Sequence, residues 1–455
     1  MSPDEQRPSS HPDDDRSSLS RRQLLGLLGG GGVLAGIGWF APEWLPDPIT
    51  DTLTTLYPDP SSNYVWRPPV SVEHADEAVQ RLEDTVGRAK ALRSRIDLDS
   101  VDEDLEFHLR GSPAGGHLES AKEAQNARDR LFSATYGMLF AGEAVGYAKI
   151  ALGEENPDGR LERGRELRQA TDDVADSISE YRVADGGRDL GYLYAIEREV
   201  SFARVSSNWS GTYTGGDPDS VDDFSPHGLA NTWGSQLQAE QRIENARHYR
   251  EQYRSGLGTD PRSHRERLED ALLGLLAEVD RYPTRDEMRT KLDGELELDQ
   301  STPYGAARWE LFTLCFDNDF RFFGEDFRRD LTVLRVVKTG QALLARQAHD
   351  FVLDELDVDP SDTDYDSGHT FLAKRQAMDE FRATRDEYDS NFAGVVASEA
   401  ASRIRGGDVG LTTRFDDQPA WRERVEASVY YLLGAGMMRN LGEIIDPLLT
   451  VETGE

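Results

Sequence analysis

From Ser71 onward apolar residues recur every three or four positions. Val72, Ala75, Val79, Leu82, Val86, Ala89 and Ile96 fall on one helical face, interrupted only by Arg93. The next segment keeps the spacing more strictly, through Ala124, Ala127, Leu131, Ala134, Met138, Ala141, Val145, Ala148 and Leu152. Joined through the glycine-containing stretch 111–116, the two read as an antiparallel hairpin. The middle of the second, 131–147, is apolar on nearly all sides, which marks a central helix; Gly137, Gly142 and Gly146 would let neighbours approach closely. Further helices are expected at about 158–184, 188–206, 228–255, 264–281, 284–294, 303–324, 326–356, 369–405 and 418–446. Capping boxes are expected at Ser263–Glu266 and Thr284–Glu287, and Thr302-Pro303 is a further start signal. The one β-branched run, 332–337, reads as helix from its flanks. Repeats of solenoid length are not visible. The expected fold is all-α, an irregular bundle of long antiparallel helices. A Gly/Asp/Ser-rich loop at 207–227 offers a boundary between a lobe at 71–206 and a lobe at 228–450.

The N-terminal region has a different pattern. Residues 1–19 are polar and read as a disordered tail. Ser20-Arg21-Arg22-Gln23-Leu24-Leu25 then leads into an uncharged, glycine-rich run over 24–41. Paired arginines directly before such a run resemble a twin-arginine export signal, whose route carries folded proteins. Arg21 and Arg22 would be what the export machinery reads. The run is near the lower length limit for spanning a bilayer. It has no Ala-x-Ala cleavage site, and Trp39, Phe40 and Trp44 cluster at its outer end as an interfacial belt would. The expectation is a single membrane anchor at 20–41 with the body outside; the alternative is a cleaved signal and a secreted protein. Seven prolines between 42 and 70 read as an extended stalk.

Composition sets the habitat. The 455 residues carry 85 acidic and 51 basic side chains, a net charge of −34, and only six of the basic residues are lysine. Many carboxylates, few lysines and abundant arginine resemble proteins of extremely halophilic archaea. At multimolar salt the screening length falls to roughly 3 Å or less, so the self-repulsion of such a chain is tolerated. The same charge disfavours nucleic acid as a partner. Cys315 is the only cysteine, which excludes an intrachain disulfide, a lipoprotein anchor and a cysteine-based metal cluster.

Candidate chemistry is sparse. Asn208-Trp209-Ser210 is a glycosylation sequon in the loop. Asp362, Asp364 and Asp366 have the 1, 3, 5 spacing of a calcium loop, but Gly368 comes one place late and Ala373 stands where the closing glutamate belongs, so a solvated acidic loop is the better reading. Trp309, Phe312, Phe316, Phe320, Phe323 and Phe327 form a stripe at helical spacing, read as core with Cys315 buried beside it. Glu143 and Glu399 sit in small apolar surroundings, as buried carboxylates or as partners of arginine. His248 with Glu244 makes an i, i+4 surface pair. No Glu-x-x-His, His-Glu-x-x-His, Gly-x-Ser-x-Gly or phosphate-loop motif occurs, and no catalytic residue, metal or cofactor is assigned. The sequence thus points to a membrane-tethered, extracytoplasmic helical binding or scaffold protein with a possible protein partner at the cell surface. The alternative is an exported enzyme that draws its carboxylates from separated helices.

Overall fold

A computed structural model describes residues 45–60, 65–207, 225–295, 298–317, 330–413 and 418–449. Arg21 and Arg22, the 24–41 run, Asn208 and the outer aromatics Phe320, Phe323 and Phe327 lie outside the described residues. Within them the fold is all-α. No helix there is long and apolar enough to cross a membrane.

The chain runs α1 (Asp47–Leu56), α2 (Val72–Arg93), α3 (Glu103–Arg110), α4 (His117–Glu123), α5 (Ala127–Ala151), α6 (Pro157–Asp176), α7 (Gly186–Ser207) and α8 (Pro226–Gly256). It continues with α9 (Arg265–Val279), α10 (Arg285–Thr290), α11 (Pro303–Phe312), α12 (Thr332–Glu355), α13 (Ser367–Glu387), α14 (Asn391–Val396), α15 (Ser398–Thr412), α16 (Ala420–Arg439) and α17 (Leu441–Leu449). Helix α5 packs between α2 and α8; the apolar pattern of 131–147 runs all round, but Phe132 and Tyr136 are left exposed on the remaining face. Its Gly142 lies against Gly234 and the Trp233 carbonyl of α8 so closely that a Cβ there would come within 2.6 Å of the Gly234 Cα. Ala141, on the expected seam, is fully buried. Helix α16 plays the same central part in the second half, packed by α11, α12, α13 and α15.

Local signals account for several boundaries. Ser71, Asn126, Asn156 and Ser225 each cap a helix through their side-chain oxygens. Thr284 and Glu287 form the expected capping box, and Thr302 caps α11 with Pro303 in its first turn. The other expected box does not form. Ser263 belongs to a two-residue strand, Arg262–Ser263, paired antiparallel with Arg182–Val183, and its hydroxyl donates to the Glu180 carbonyl. The expected 369–405 helix is three helices. Ser390 caps α14, and the Arg385 guanidinium binds the carbonyls of Tyr388 and Ser390 at the break.

Two expectations about domain layout need correction. The proline-rich 42–70 segment is not simply a stalk, because its prolines flank a helix. Pro46 and Pro48 sit at the start of α1, where a missing N–H costs nothing. Helix α1 docks on α13 and α15, with Thr50 and Thr54 fully buried and Tyr57 edge-on to Phe371. Nor do the lobes part at 207–227. Helices α7 and α8, on either side of that loop, pack against each other, and Leu190, Leu193 and Ile196 of α7 share one continuous core with Val333, Val336 and Leu433 of the second half.

Candidate functional site

A cleft lies where the two halves meet the strap that follows α1. Trp66 stands edge-on to Tyr192 of α7, and its backbone nitrogen would lie 2.8 Å from any Cβ on Gly394 of α14, so glycine there lets the strap lie flat. Pinned in this way, the strap presents Arg67 and Pro68 to a cleft of about 650 Å³. Helix α5 supplies Arg128, Phe132 and Tyr136, one face at a spacing of four; α7 supplies Tyr194, Arg198 and Phe202 at the same spacing. Helix α8 closes the floor with Arg242, Asn245 and Tyr249. A narrower recess of about 320 Å³ continues from it and shares Trp66, Arg67, Tyr194, Arg198, Phe202 and Val395; Lys338 of α12 and Ser398, Glu399, Ser402 and Arg405 of α15 complete its wall.

The cleft is basic in a strongly acidic protein. Its carboxylates are already engaged: Glu199 accepts from Arg242 at 3.0 Å, Glu399 pairs with Arg403 at 2.9 Å, and Asp129 accepts from Asn126 at 2.7 Å. Arg405 leans toward Asp59 at 3.8 Å and donates to the Pro60 carbonyl, and Lys338 donates to Gln341. Arg67 and Arg198 have no carboxylate partner among the described residues. Desolvation, together with the nearby guanidinium groups of Arg198, Arg128 and Arg405, holds Arg67 below its ordinary value. Arg198 and Arg242 both lie over the Phe202 ring, at 5.6 and 4.8 Å. Phe132 is 65% exposed and its ring runs nearly parallel to that of Tyr136, 6.3 Å away. A half-exposed aromatic wall facing the Arg67 and Arg198 guanidinium groups suits an anion with an apolar or planar part.

Of the sequence candidates among the described residues, only Glu399 reaches this cleft, and it does so as the partner of Arg403. Glu143 lies elsewhere, on the α5–α8 seam with its Cγ against Gly234; burial raises its carboxyl. Phe312 and Phe316 are core residues, and Cys315 donates to the Ala345 carbonyl, burial pushing its thiol up to about 12. Asp366 caps α13, while Asp362 and Asp364 accept from the backbone of their own loop. The expected Glu244–His248 pair does not form. Glu244 binds Arg247, and His248 stacks on His74 at 4.2 Å and meets Gln252.

One buried carboxylate carries no mark in the sequence. Glu197 of α7 is fully buried. It accepts from the Leu334 N–H at 2.5 Å and lies 2.6 Å from the Tyr181 hydroxyl, which accepts from Thr332 N–H and faces the Asp330 carbonyl at 2.9 Å. Tyr181 is held there at φ 44. Leu331 offers α12 no side-chain cap, so this pair from another part of the chain satisfies the orphan N–H groups. Tyr181 has one proton and two acceptors, a conflict that a protonated Glu197 resolves by donating to the phenol oxygen. Burial pushes the Glu197 carboxyl up to about 8. Folding therefore takes up a proton between the unfolded value of 4.5 and about 8. The contribution is fully present below that window and is lost as pH rises through it. Glu197→Gln reproduces the protonated form. In heat or urea denaturation it should match wild type near pH 4.5 and exceed it by on the order of a few kcal/mol above pH 8. Parallel pH dependences for the two proteins would refute this assignment.

Residues 73–260 match the family model described as domain of unknown function DUF8262, and residues 265–449 match domain of unknown function DUF8264. The two meet just after α8, at the short strand pair, and the cleft takes residues from both. No curated protein and no solved structure matches the chain.

Proposed function

We propose that the protein is a binding module whose ligand is an anion held in the cleft between the two matched regions. The observation that carries this is the pair Arg67 and Arg198, without a carboxylate ion-pair partner among the described residues beside exposed aromatics, in a chain of net charge −34. A chain so rich in carboxylates has ample means to neutralise two arginines; that none among the described residues forms an ion pair with them keeps the site available to an outside anion. Guanidinium groups bind and orient but do not exchange protons near neutral pH, which favours recognition over acid–base catalysis. Titration calorimetry in concentrated KCl should detect small organic anions and not neutral or cationic analogues. The Arg67→Gln/Arg198→Gln variant should lose that binding while keeping its helical spectrum. Equal binding by the double variant would end the proposal.

The setting we propose is the outer face of a halophilic archaeal membrane, with the anchor at 20–41 and α1 as the first docked element. Arg21→Lys together with Arg22→Lys should leave the protein inside the cell, by resemblance to other twin-arginine signals, and wild type should stay with membranes through a carbonate wash. Recovery of wild type from the medium, lacking residues 1–38, would replace the anchor with a cleaved signal.

A further inference from the structure

The cleft is divided, and if it is an anion site, as proposed above, the division bears on the class of ligand. Four cations converge on the recess from four chain segments: Arg67 from the strap, Arg198 from α7, Lys338 from α12 and Arg405 from α15. Among the described residues the one carboxylate lining it, Glu399, is taken by Arg403. Arg405 is partly engaged by Asp59, which leaves Arg67, Arg198 and Lys338 without a carboxylate partner among the described residues. A single carboxylate ligand would be satisfied by one guanidinium fork, so these cations call for a head with more than one charge and several acceptor oxygens. Ser398 and Ser402 add hydroxyls to the same wall.

The wider part is also lined by arginines, Arg128 and Arg242 besides the shared Arg67 and Arg198, but it adds an exposed aromatic face. Phe132 and Tyr136 are 65% and 41% exposed, costly positions for aromatic side chains unless something lies on them. Arg67 and Arg198 line both compartments, so one ligand can place its head in the recess and its body on the aromatic wall. High salt makes both halves necessary. Where screening acts within roughly 3 Å, long-range attraction is lost, and selection against chloride must come from contact: forked hydrogen bonds at one end and ring stacking at the other.

We propose that the ligand is a phosphate monoester bearing a ring, its dianionic head seated among Arg67, Arg198, Lys338 and Arg405 and its ring laid on Phe132 and Tyr136. The test is calorimetry on the full chain in concentrated KCl with phenyl phosphate, inorganic phosphate, phenyl sulfate and benzoate. Phenyl phosphate should bind most tightly, with inorganic phosphate weaker by roughly tenfold for want of stacking. Phe132→Ala/Tyr136→Ala should bring phenyl phosphate down to the level of inorganic phosphate and leave inorganic phosphate unchanged. Arg198→Gln should weaken both by roughly tenfold or more, and Arg198→Lys, which keeps the charge without the fork, should fall between. Benzoate or phenyl sulfate binding as tightly as phenyl phosphate would overturn the head-group assignment and leave the anion site standing. Inorganic phosphate binding as tightly would overturn the ring. Silence from all four ligands would overturn this proposal, and the anion site would fall only if the wider series of organic anions were silent too.

Discussion

Asp408→Ala should destabilise the fold by roughly 3–5 kcal/mol, the cost of leaving a buried charge unpaired. The charge is Lys374 of α13, whose side chain has no solvent exposure. Its ammonium donates to Asp408 of α15 at 2.6 Å and to the Thr54 carbonyl of α1 at 2.7 Å. Tyr431 of α16 donates to the same Asp408 oxygen at 2.6 Å. Burial lowers the Lys374 ammonium and raises the Asp408 carboxyl, so each depends on the other to stay charged. Four helices meet at this pair. Lys374→Met in the Asp408→Ala background should restore much of the loss, because the orphaned charge, more than the missing pair, is what destabilises. Denaturation at fixed KCl checks both. A single variant with wild-type stability would show that Lys374 finds water or sheds its proton at little cost.

Chains beginning at Pro46 and at Ser61 should differ sharply. The first keeps α1. The second removes it, and with it Asp47 and Asp51, which hold the buried Arg424 of α16 at 2.8 and 3.0 Å, and the Thr54 carbonyl on Lys374. Tyr57 also leaves its place against Phe371. Loss of the Arg424 partners alone is expected to cost roughly 3 kcal/mol or more. The shorter chain should unfold at lower temperature and with a smaller denaturant slope, since less surface is buried. Arg424→Met should recover part of the difference in the short chain and weaken the longer one. Equal midpoints for the two chains would mean that the segment is a tether after all.

The 42–70 segment marks where sequence inference stops. Its prolines exclude one continuous helix, and that much holds. They do not exclude a ten-residue helix set between them, and Asp47 and Asp51 look like solvated acids until Arg424, more than 370 positions away, is placed beside them. The cleft was concealed in the same way. Arg128, Phe132 and Tyr136 share a helical face, as do Tyr194, Arg198 and Phe202, and both sets are visible in the sequence. A mixed arginine–aromatic face reads as an ordinary solvated one until two such faces are brought together. Glu143 and Glu399 stand out for their apolar neighbours in sequence, while the fully buried Glu197 sits between Ile196 and Arg198 and does not.

The sequence by itself determined most of the long helices, because a period of three to four residues is local, and several of their starts, because a cap acts within three residues; the short helices α1, α3, α4, α14 and α17 it did not mark. It also determined which helix is central, through the apolar circumference of 131–147, and the excess of acid over base. Tertiary structure alone decided what the charges do. Whether an arginine pairs with an aspartate, stacks on a phenylalanine or is left for a ligand depends on which helix faces it. That choice rests on contacts between residues tens to hundreds of positions apart, which no local period encodes.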